Sequence, residues 1–468
     1  MKEIVIEILK YVNIFFLIYL LIYATYLFAS VVQGALRLYN TNKLKKVKNV
    51  IKHDFYFPVS ILVPAYNEEV TIVDSILSLL ELDYRLYEII IVDDGSKDRT
   101  SDVLIEKFNL KKVNRPIRKA VKCKDAKEIY ESNDYKVKIT LVKKYNGGKG
   151  DALNMGINAS SYPYFICMDA DSMLQRDSLE KIVMPLMSDD KTVAVGGLVR
   201  VAQCVKMDEG NVVGYHLPVN DPVICMQVME YDRSFLASRI LMDGYNGNMI
   251  ISGAFGLFKK DIVIACGGYD TATIGEDMEL VVRIHEFCCN NKIPYNMHYS
   301  TDAVCWSQAP TKLGDLKKQR RRWHLGLFQS LMKHSQMFMN PRYGLVGNLS
   351  YFYYLFYELL SPFIEVIGWI VMILSIWAGL LNFRFMISLY LLYAIYGAVI
   401  TITAFFQRIY TQNLRISRSD LMMAIVMCFV ENIFFKQVLE FFRITAFIGY
   451  GKNKHNWGSI TRVKQEFD

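Results

Sequence analysis

Apolar and polar positions divide this chain into three stretches. Residues 11–36 are apolar and almost free of charge. About 20 such residues suffice to cross a bilayer, so this run predicts a transmembrane helix. It is too long for a signal-peptide core and lacks a small-residue cleavage site before a polar domain. Lys43, Lys45, Lys46 and Lys48 follow at once. Positive charge gathers on the cytosolic side, so the next segment is expected in the cytosol. From Val59 to about Cys305 short apolar runs alternate with helical spacing. Val59–Val63, Glu88–Val92 and Tyr164–Met168 predict strands; Val70–Leu80, Ser101–Phe108 and Met278–Phe287 predict helices. That alternation predicts an α/β domain with a parallel sheet and ligands at the strand carboxyl ends. Lys111–Lys138 reads as a charged, solvated insertion.

The third stretch is apolar again. Leu349–Leu381 would be about 50 Å long as one helix, longer than a bilayer core. Pro362 divides it into an interfacial piece and a span at 362–381. A second span is expected at 385–406, before Arg408, Arg415 and Arg418. Residues 421–448 are apolar but carry Glu431, Lys436, Glu440 and Arg443. An interfacial or re-entrant segment, or four shorter spans in all, keeps both ends of this part in the cytosol. The expected divisions are a transmembrane helix at 1–40, a cytosolic domain at 55–325 and interfacial helices at 326–361. Membrane or interfacial helices at 362–449 and a cytosolic tail at 450–468 complete them.

Composition adds two points. The net charge of +8 comes from basic residues clustered beside the apolar runs. Membrane-surface contact, phosphate chemistry or ordinary positive-inside topology would each produce this; no nucleic-acid partner is expected. The nine cysteines show no CxxC and no Cys/His metal spacing, which fits a reduced cytosolic domain.

Three acidic motifs fall at predicted element ends. Asp93-Asp94-Gly95-Ser96 follows a strand. A carboxylate there can accept the imide N–H of a uracil, although a simple turn has the same composition. Asp169-Ala170-Asp171 also follows a strand. Two carboxylates so spaced can hold Mg²⁺ or Mn²⁺ against the oxygens of a sugar-nucleotide diphosphate. Gly275-Glu276-Asp277 precedes a helix, where an acid either caps or serves as a general base. Gln319-Arg320-Arg321-Arg322-Trp323 is either a membrane-surface patch or a site for a diphosphate and a sugar ring.

Taken in order, these motifs resemble glycosyltransferase family 2, within it the processive membrane synthases of cellulose, mixed-linkage glucan, hyaluronan, chitin and poly-N-acetylglucosamine. Val59–Glu69, Val92–Ser96, Gly147–Asn154, Asp169–Asp171, Ser252–Gly256, Gly275–Asp277 and Gln319–Trp323 carry the resemblance over about residues 58–325. It implies a GT-A-like nucleotide-sugar-binding domain flanked by transmembrane and interfacial helices. It implies donor binding by Pro64, Ala65, Tyr66, Glu68, Asp93 or Asp94, and Lys149. Asp169 and Asp171 would hold the metal and diphosphate, and Asp277, with Glu276 beside it, would be the catalytic base. Ser252, Gly253, Ala254, Gln319, Arg322 and Trp323 would form the acceptor and pyrophosphate site. Asn456–Arg462 looks like the gating loop of hyaluronan-type synthases, with Trp457, Thr461 and Arg462 as its candidate residues.

The implied reaction is inverting polymerisation of a UDP-sugar at the plasma membrane, the catalytic domain in the cytosol and the growing chain as acceptor. A homo-oligomer is compatible with this. UDP-glucose and a β-1,4 or mixed β-1,3/1,4 glucan are the first expectation. UDP-N-acetylglucosamine, with a poly-N-acetylglucosamine or hyaluronan-type product, is the alternative. Single transfer to a lipid phosphate fits the first motifs but not the Gln319–Trp323 run. An inactive membrane scaffold would be expected to lack Asp171 or Asp277, and both are present.

Overall fold

The computed structural model describes residues 2–48, 56–208, 210–218, 220–379, 382–412 and 416–448. Its centre is a ten-stranded sheet. In chain order the strands are β1 (Val59–Ala65), β2 (Tyr87–Asp93), β3 (Lys111–Val113), β4 (Ala126–Ser132), β5 (Ile139–Lys144), β6 (Tyr164–Cys167), β7 (Ser172–Leu174) and β8 (Thr192–Val201). A separate hairpin, β9 (Val205–Asp208) and β10 (Asn211–Tyr215), precedes β11 (Gly256–Lys259) and β12 (Asn296–Ser307). The sheet order is β3-β4-β5-β2-β1-β6-β11-β8-β12-β7.

This sheet is mixed, which corrects the expectation of a parallel one. β5, β2, β1 and β6 run parallel, and β11 enters antiparallel between β6 and β8. The charged insertion is not wholly solvated either: β3 and β4 extend the sheet edge antiparallel to β5. Their lysines and glutamates pair across the surface, as Lys112 does with Glu128 at 2.6 Å, so a charged sequence still builds a ladder.

Helices cover both faces. In order they are α1 (Lys2–Lys48), α2 (Ile72–Leu80), α3 (Thr100–Phe108), α4 (Lys149–Ala159), α5 (Ser178–Ser188), α6 (Pro222–Arg233), α7 (Arg239–Asp243), α8 (Lys260–Ala265), α9 (Glu276–Asn290) and α10 (Leu313–Lys333). Alternation along each central strand feeds two cores. Ile61, Val63, Ile89 and Ile91 pack with Ile72, Ile76, Leu104 and Phe108 of α2 and α3. Leu62, Ile90 and Val92 face the other way, toward Ala152 and Met155 of α4 and Leu280 and Ile284 of α9. Both faces are covered, so these strands are continuous apolar runs.

The remaining helices are α11 (Tyr351–Tyr353), α12 (Ser361–Trp377), α13 (Phe383–Gln412), α14 (Arg418–Val430) and α15 (Lys436–Ile444). Ile6–Asn40, Met386–Ile409 and Arg418–Phe447 are long and apolar enough to cross a membrane. Val346–Leu359 and Ser361–Trp377 form a further candidate bent by 52°. Pro362 sits in the first turn after that bend, where its missing N–H is tolerated. Residues 418–447 form a helical run of spanning length, where the sequence pattern places an interfacial or re-entrant segment. Many apolar side chains on α1, α12 and α13 stay exposed, Trp377 by 75%, as a lipid-facing surface requires. α6 joins the two parts: Ile224, Met226 and Met229 pack with Phe405, Met427 and Cys428.

Candidate active site

A cavity of about 1210 Å³ opens at the carboxyl ends of β1, β2, β5 and β6 and continues to the membrane helices. Its walls bring together nearly every residue singled out from the sequence. Pro64, Ala65, Tyr66, Glu68, Asp94, Lys149, Asp169 and Asp171 line it, as do Ser252, Gly253, Ala254, Glu276, Asp277, Gln319, Arg322 and Trp323. Trp457, Thr461 and Arg462 lie outside the described residues.

Asp93 does not line the cavity. It is buried and accepts hydrogen bonds from the Ser96 amide at 2.8 Å and from the Ser101 hydroxyl, so it fixes the turn into α3. The carboxylate that faces the cavity is Asp94. It accepts from the amides of Gly147 (2.9 Å) and Gly148 (2.7 Å) and pairs with Lys144 at 2.5 Å. Burial pushes the Asp94 pKa above the ordinary carboxylate value, and Lys144 and the two amides oppose that rise. Lys144 is fully buried and also meets Asp151 at 2.6 Å. Gly148 has φ of 90°, a left-handed conformation that suits glycine at this turn into α4.

Lys149, at the start of α4, does line the cavity. It pairs with Asp169 and lies 3.7 Å from Glu276. Burial alone would lower its pKa, but Asp169, Glu276 and Asp277 outweigh this and hold it above the ordinary lysine value. Glu276 is pushed up to about 7, first by burial; Lys149 opposes and the neighbouring Asp277 adds to the rise.

Asp277 lies in the first turn of α9. Its carboxylate accepts from the Met278 amide at 2.8 Å and from the Gly253 amide at 3.2 Å. A Cβ on Gly253 would come within 3.1 Å of the Lys149 ammonium, the far end of a flexible side chain, and 3.6 Å of Asp277. Asp277 therefore joins α9 to the Ser252–Ala254 turn and still faces the cavity.

Across the cavity, α10 divides its three arginines. Arg320 is buried and grips Glu230 through two bonds of 3.0 and 2.7 Å, with its guanidinium 4.4 Å over the Trp323 ring. That stack stiffens an indole that is 43% exposed. Arg321 donates to the Ile448 carbonyl, away from the cavity. Arg322 lines it, close enough to Glu276 to lower that group's pKa. The side-chain oxygen of Gln319, the Thr273 hydroxyl and one Arg239 nitrogen are buried in this wall without a partner among the described residues.

Sequence reasoning missed Lys144 and Glu230, and gave Asp151 no role within its motif. Lys144 ends a strand, and an apolar run ending in lysine looks like an ordinary solvated strand end. Glu230 lies in a helix far from every motif. Only the fold carries it to Arg320.

The sequence profile described as "Glycosyl transferase family 2" matches residues 60–263, and that of "Glycosyl transferase family group 2" matches residues 164–406, just over half of the chain. The chain belongs to glycosyltransferase family 2. Among the relatives of this family 2 chain, the poly-beta-1,6-N-acetyl-D-glucosamine synthase of Staphylococcus aureus (strain COL) is 29% identical over 67% of this chain and 66% of the relative. The enzyme of the same name from Staphylococcus epidermidis is 30% identical over 62% of this chain and 59% of the relative. The chain thus matches 59–66% of these relatives' length. The mannosyltransferase PcManGT from Pyrobaculum calidifontis, solved with GDP-Man and Mn²⁺, superposes with a TM-score of 0.51 over 88% of this chain and 98% of that one. At 19% identity that likeness concerns the GT-A fold alone. The family 2 enzyme is therefore an inverting glycosyltransferase with flanking helices apolar enough for a membrane.

Proposed function

We propose that this enzyme polymerises N-acetylglucosamine from UDP-N-acetylglucosamine into a β-linked chain, most simply with β-1,6 linkage, on the cytosolic face of the plasma membrane. The relatives' name supports this donor over the UDP-glucose and β-glucan first expected from the sequence. The observation that carries the reading is the single continuous cavity. It runs from the strand-end loops past Asp277 and Trp323 to Tyr354 and Glu358 of the membrane helices.

In this reading Asp94 and the Pro64–Glu68 loop hold the uridine. Asp169 and Asp171 face the cavity together. Among the described residues no group of three or more His, Cys, Asp or Glu is placed to hold a metal. Two carboxylates completed by diphosphate oxygens make the hard-oxygen set that Mg²⁺ or Mn²⁺ favours, so the residues fit a shared cation. Bound there, a cation would neutralise charge on the leaving diphosphate. Lys149 adds a fixed positive charge beside it.

Asp277 takes the proton of the acceptor hydroxyl as that oxygen attacks the anomeric carbon from the face opposite the diphosphate. The C–O bond to the new sugar forms, the bond to UDP breaks, and the anomeric configuration inverts. Trp323 carries the acceptor ring on its indole face. Arg320 and Glu230 hold that face still.

The test is incubation of enzyme-containing membranes with Mg²⁺ or Mn²⁺ and each common UDP-sugar. UDP release and high-mass product are followed together. The reading expects release with UDP-N-acetylglucosamine and a polymer cut by a β-1,6-specific hexosaminidase. Polymer from UDP-glucose would return the reading to a glucan. A short lipid-linked product would make the enzyme non-processive. Asp171→Ala should weaken metal-dependent donor binding about 100-fold, and unchanged binding would remove the metal role.

A further inference from the structure

α10 does more than carry Gln319–Trp323. Gly326 lies three residues beyond Trp323 on the same helix, hence on the same face. It meets Gly275, the residue that caps α9 two positions before Asp277. A Cβ on Gly326 would fall 2.8 Å from the Gly275 Cα and 2.9 Å from its nitrogen. A Cβ on Gly275 would fall 2.8 Å from the Gly326 Cα and 3.1 Å from its carbonyl carbon. Each obstacle is backbone, so no rotamer change relieves it. Neither glycine has positive φ. These positions need glycine for space, not for conformation.

The rest of α10 holds the same loop. Gln329 accepts from the Ile274 amide at 2.8 Å. Lys333 pairs with Asp270 at 2.5 Å and Glu279 at 2.6 Å, one on each side of Gly275. The start of α9 is thus bolted to one helix on both flanks and touches it backbone to backbone in the middle.

We infer that the Gly275–Gly326 contact is the spacer that sets the distance between the general base and the acceptor platform, making Gly326 a positioning residue for the reaction. The inference rests on the roles proposed above for Asp277 and Trp323. The contact fixes two catalytic parts that come from separate helices. Lys149, one of the residues that would bind the nucleotide, lies 3.7 Å from Glu276 but is also held by Asp169, independently of α10. An added methyl pushes α10 off the start of α9 by a fraction of an ångström or more. A misplacement of about 1 Å between reacting groups can cost about 100-fold in rate.

The experiment uses the full chain in membranes, with the UDP-sugar that the wild type turns over, and measures kcat and donor KM. Gly326→Ala should lower kcat about 100-fold with donor KM changed less than about two-fold. Gln329→Ala, which loses one hydrogen bond to the loop, should lower kcat about five-fold with the same KM. Gly314→Ala is the control on the same helix. Nothing lies within 4 Å of its new Cβ, and kcat should stay at the wild-type value.

Wild-type kcat in Gly326→Ala overturns the spacer role, and so does a parallel loss of kcat and donor affinity. If Gly326→Ala does not accumulate in the membrane, Gln329→Ala decides by the same two criteria. Asp277→Asn, assayed alongside, separates the two levels. Turnover by that variant would sink the base assignment, whereas its inactivity beside an active Gly326→Ala sinks only the spacer.

Discussion

The two halves of the cavity are built in opposite ways. The strand-end half is local. Its acids and amides come from loops that directly follow β1, β2, β5 and β6, and they are partnered before any ligand arrives. Asp94 is held by two amides and Lys144, and Asp169 by Lys149. The helical half is assembled from distant segments. Glu230, Asp277 and Trp323 meet only through tertiary contacts, and Gln319, Thr273 and Arg239 keep buried polar atoms without partners among the described residues. A preformed pocket suits a ligand that is the same at every cycle. A wall with unused polar capacity suits a sugar chain that must bind and then move on.

That contrast can be broken by substitution. Lys144→Met should have the largest effect, because it leaves Asp94 and Asp151 buried beside each other without their cation. A loss of about 3–5 kcal/mol in stability is expected by denaturant unfolding. A much smaller loss would mean that the strand-end half is not preorganised by this lysine. Asp277→Asn should lower kcat about 1,000-fold and leave UDP binding intact. If UDP binding fails instead, the two halves are not independent.

Glu276 gives a pH signature at the seam. Its folded pKa of about 7 lies above its ordinary 4.5, so the folded state binds more protons across that interval. Stability contributed through this group is therefore present below pH 4.5 and lost as pH rises through about 7. Glu276→Gln should flatten that fall by about 3 kcal/mol, read from unfolding at several pH values. Equal slopes in both proteins would show that Glu276 titrates normally.

Trp323→Ala should have the smallest effect on the single transfer step, about ten-fold, yet shorten the product strongly. Product sizing by gel filtration checks this. Full-length polymer from the variant would remove the indole from the acceptor platform.

Much of the strand-end half was legible in the sequence, because each motif there sits within a few residues of the strand that presents it. Asp169 and Asp171 could be named from a strand, a turn and a charge, whereas Lys149 came only through the family resemblance. Asp93 could not be told from Asp94, since adjacent residues on a strand point to opposite faces and only the packed core decides which face is the cavity. The donor sugar was not legible, because no motif in the sequence carries direct chemistry for a 2-acetamido group. Gly326 looked like any helical glycine. Its reason is the backbone of Gly275, 51 residues earlier in the chain.

By itself the sequence determined the alternation of strands and helices, the flanking apolar runs and the acids at strand ends. Those depend on periodicity and on neighbours along the chain. Tertiary structure alone decided the mixed sheet, with β11 inserted antiparallel between β6 and β8. It also decided the pairing of Lys144 with two buried acids and the meeting of α9 and α10 at two glycines. These rest on close packing between segments far apart in the chain. That is where the free energy of burying charge and excluding volume is settled, and no local pattern encodes it.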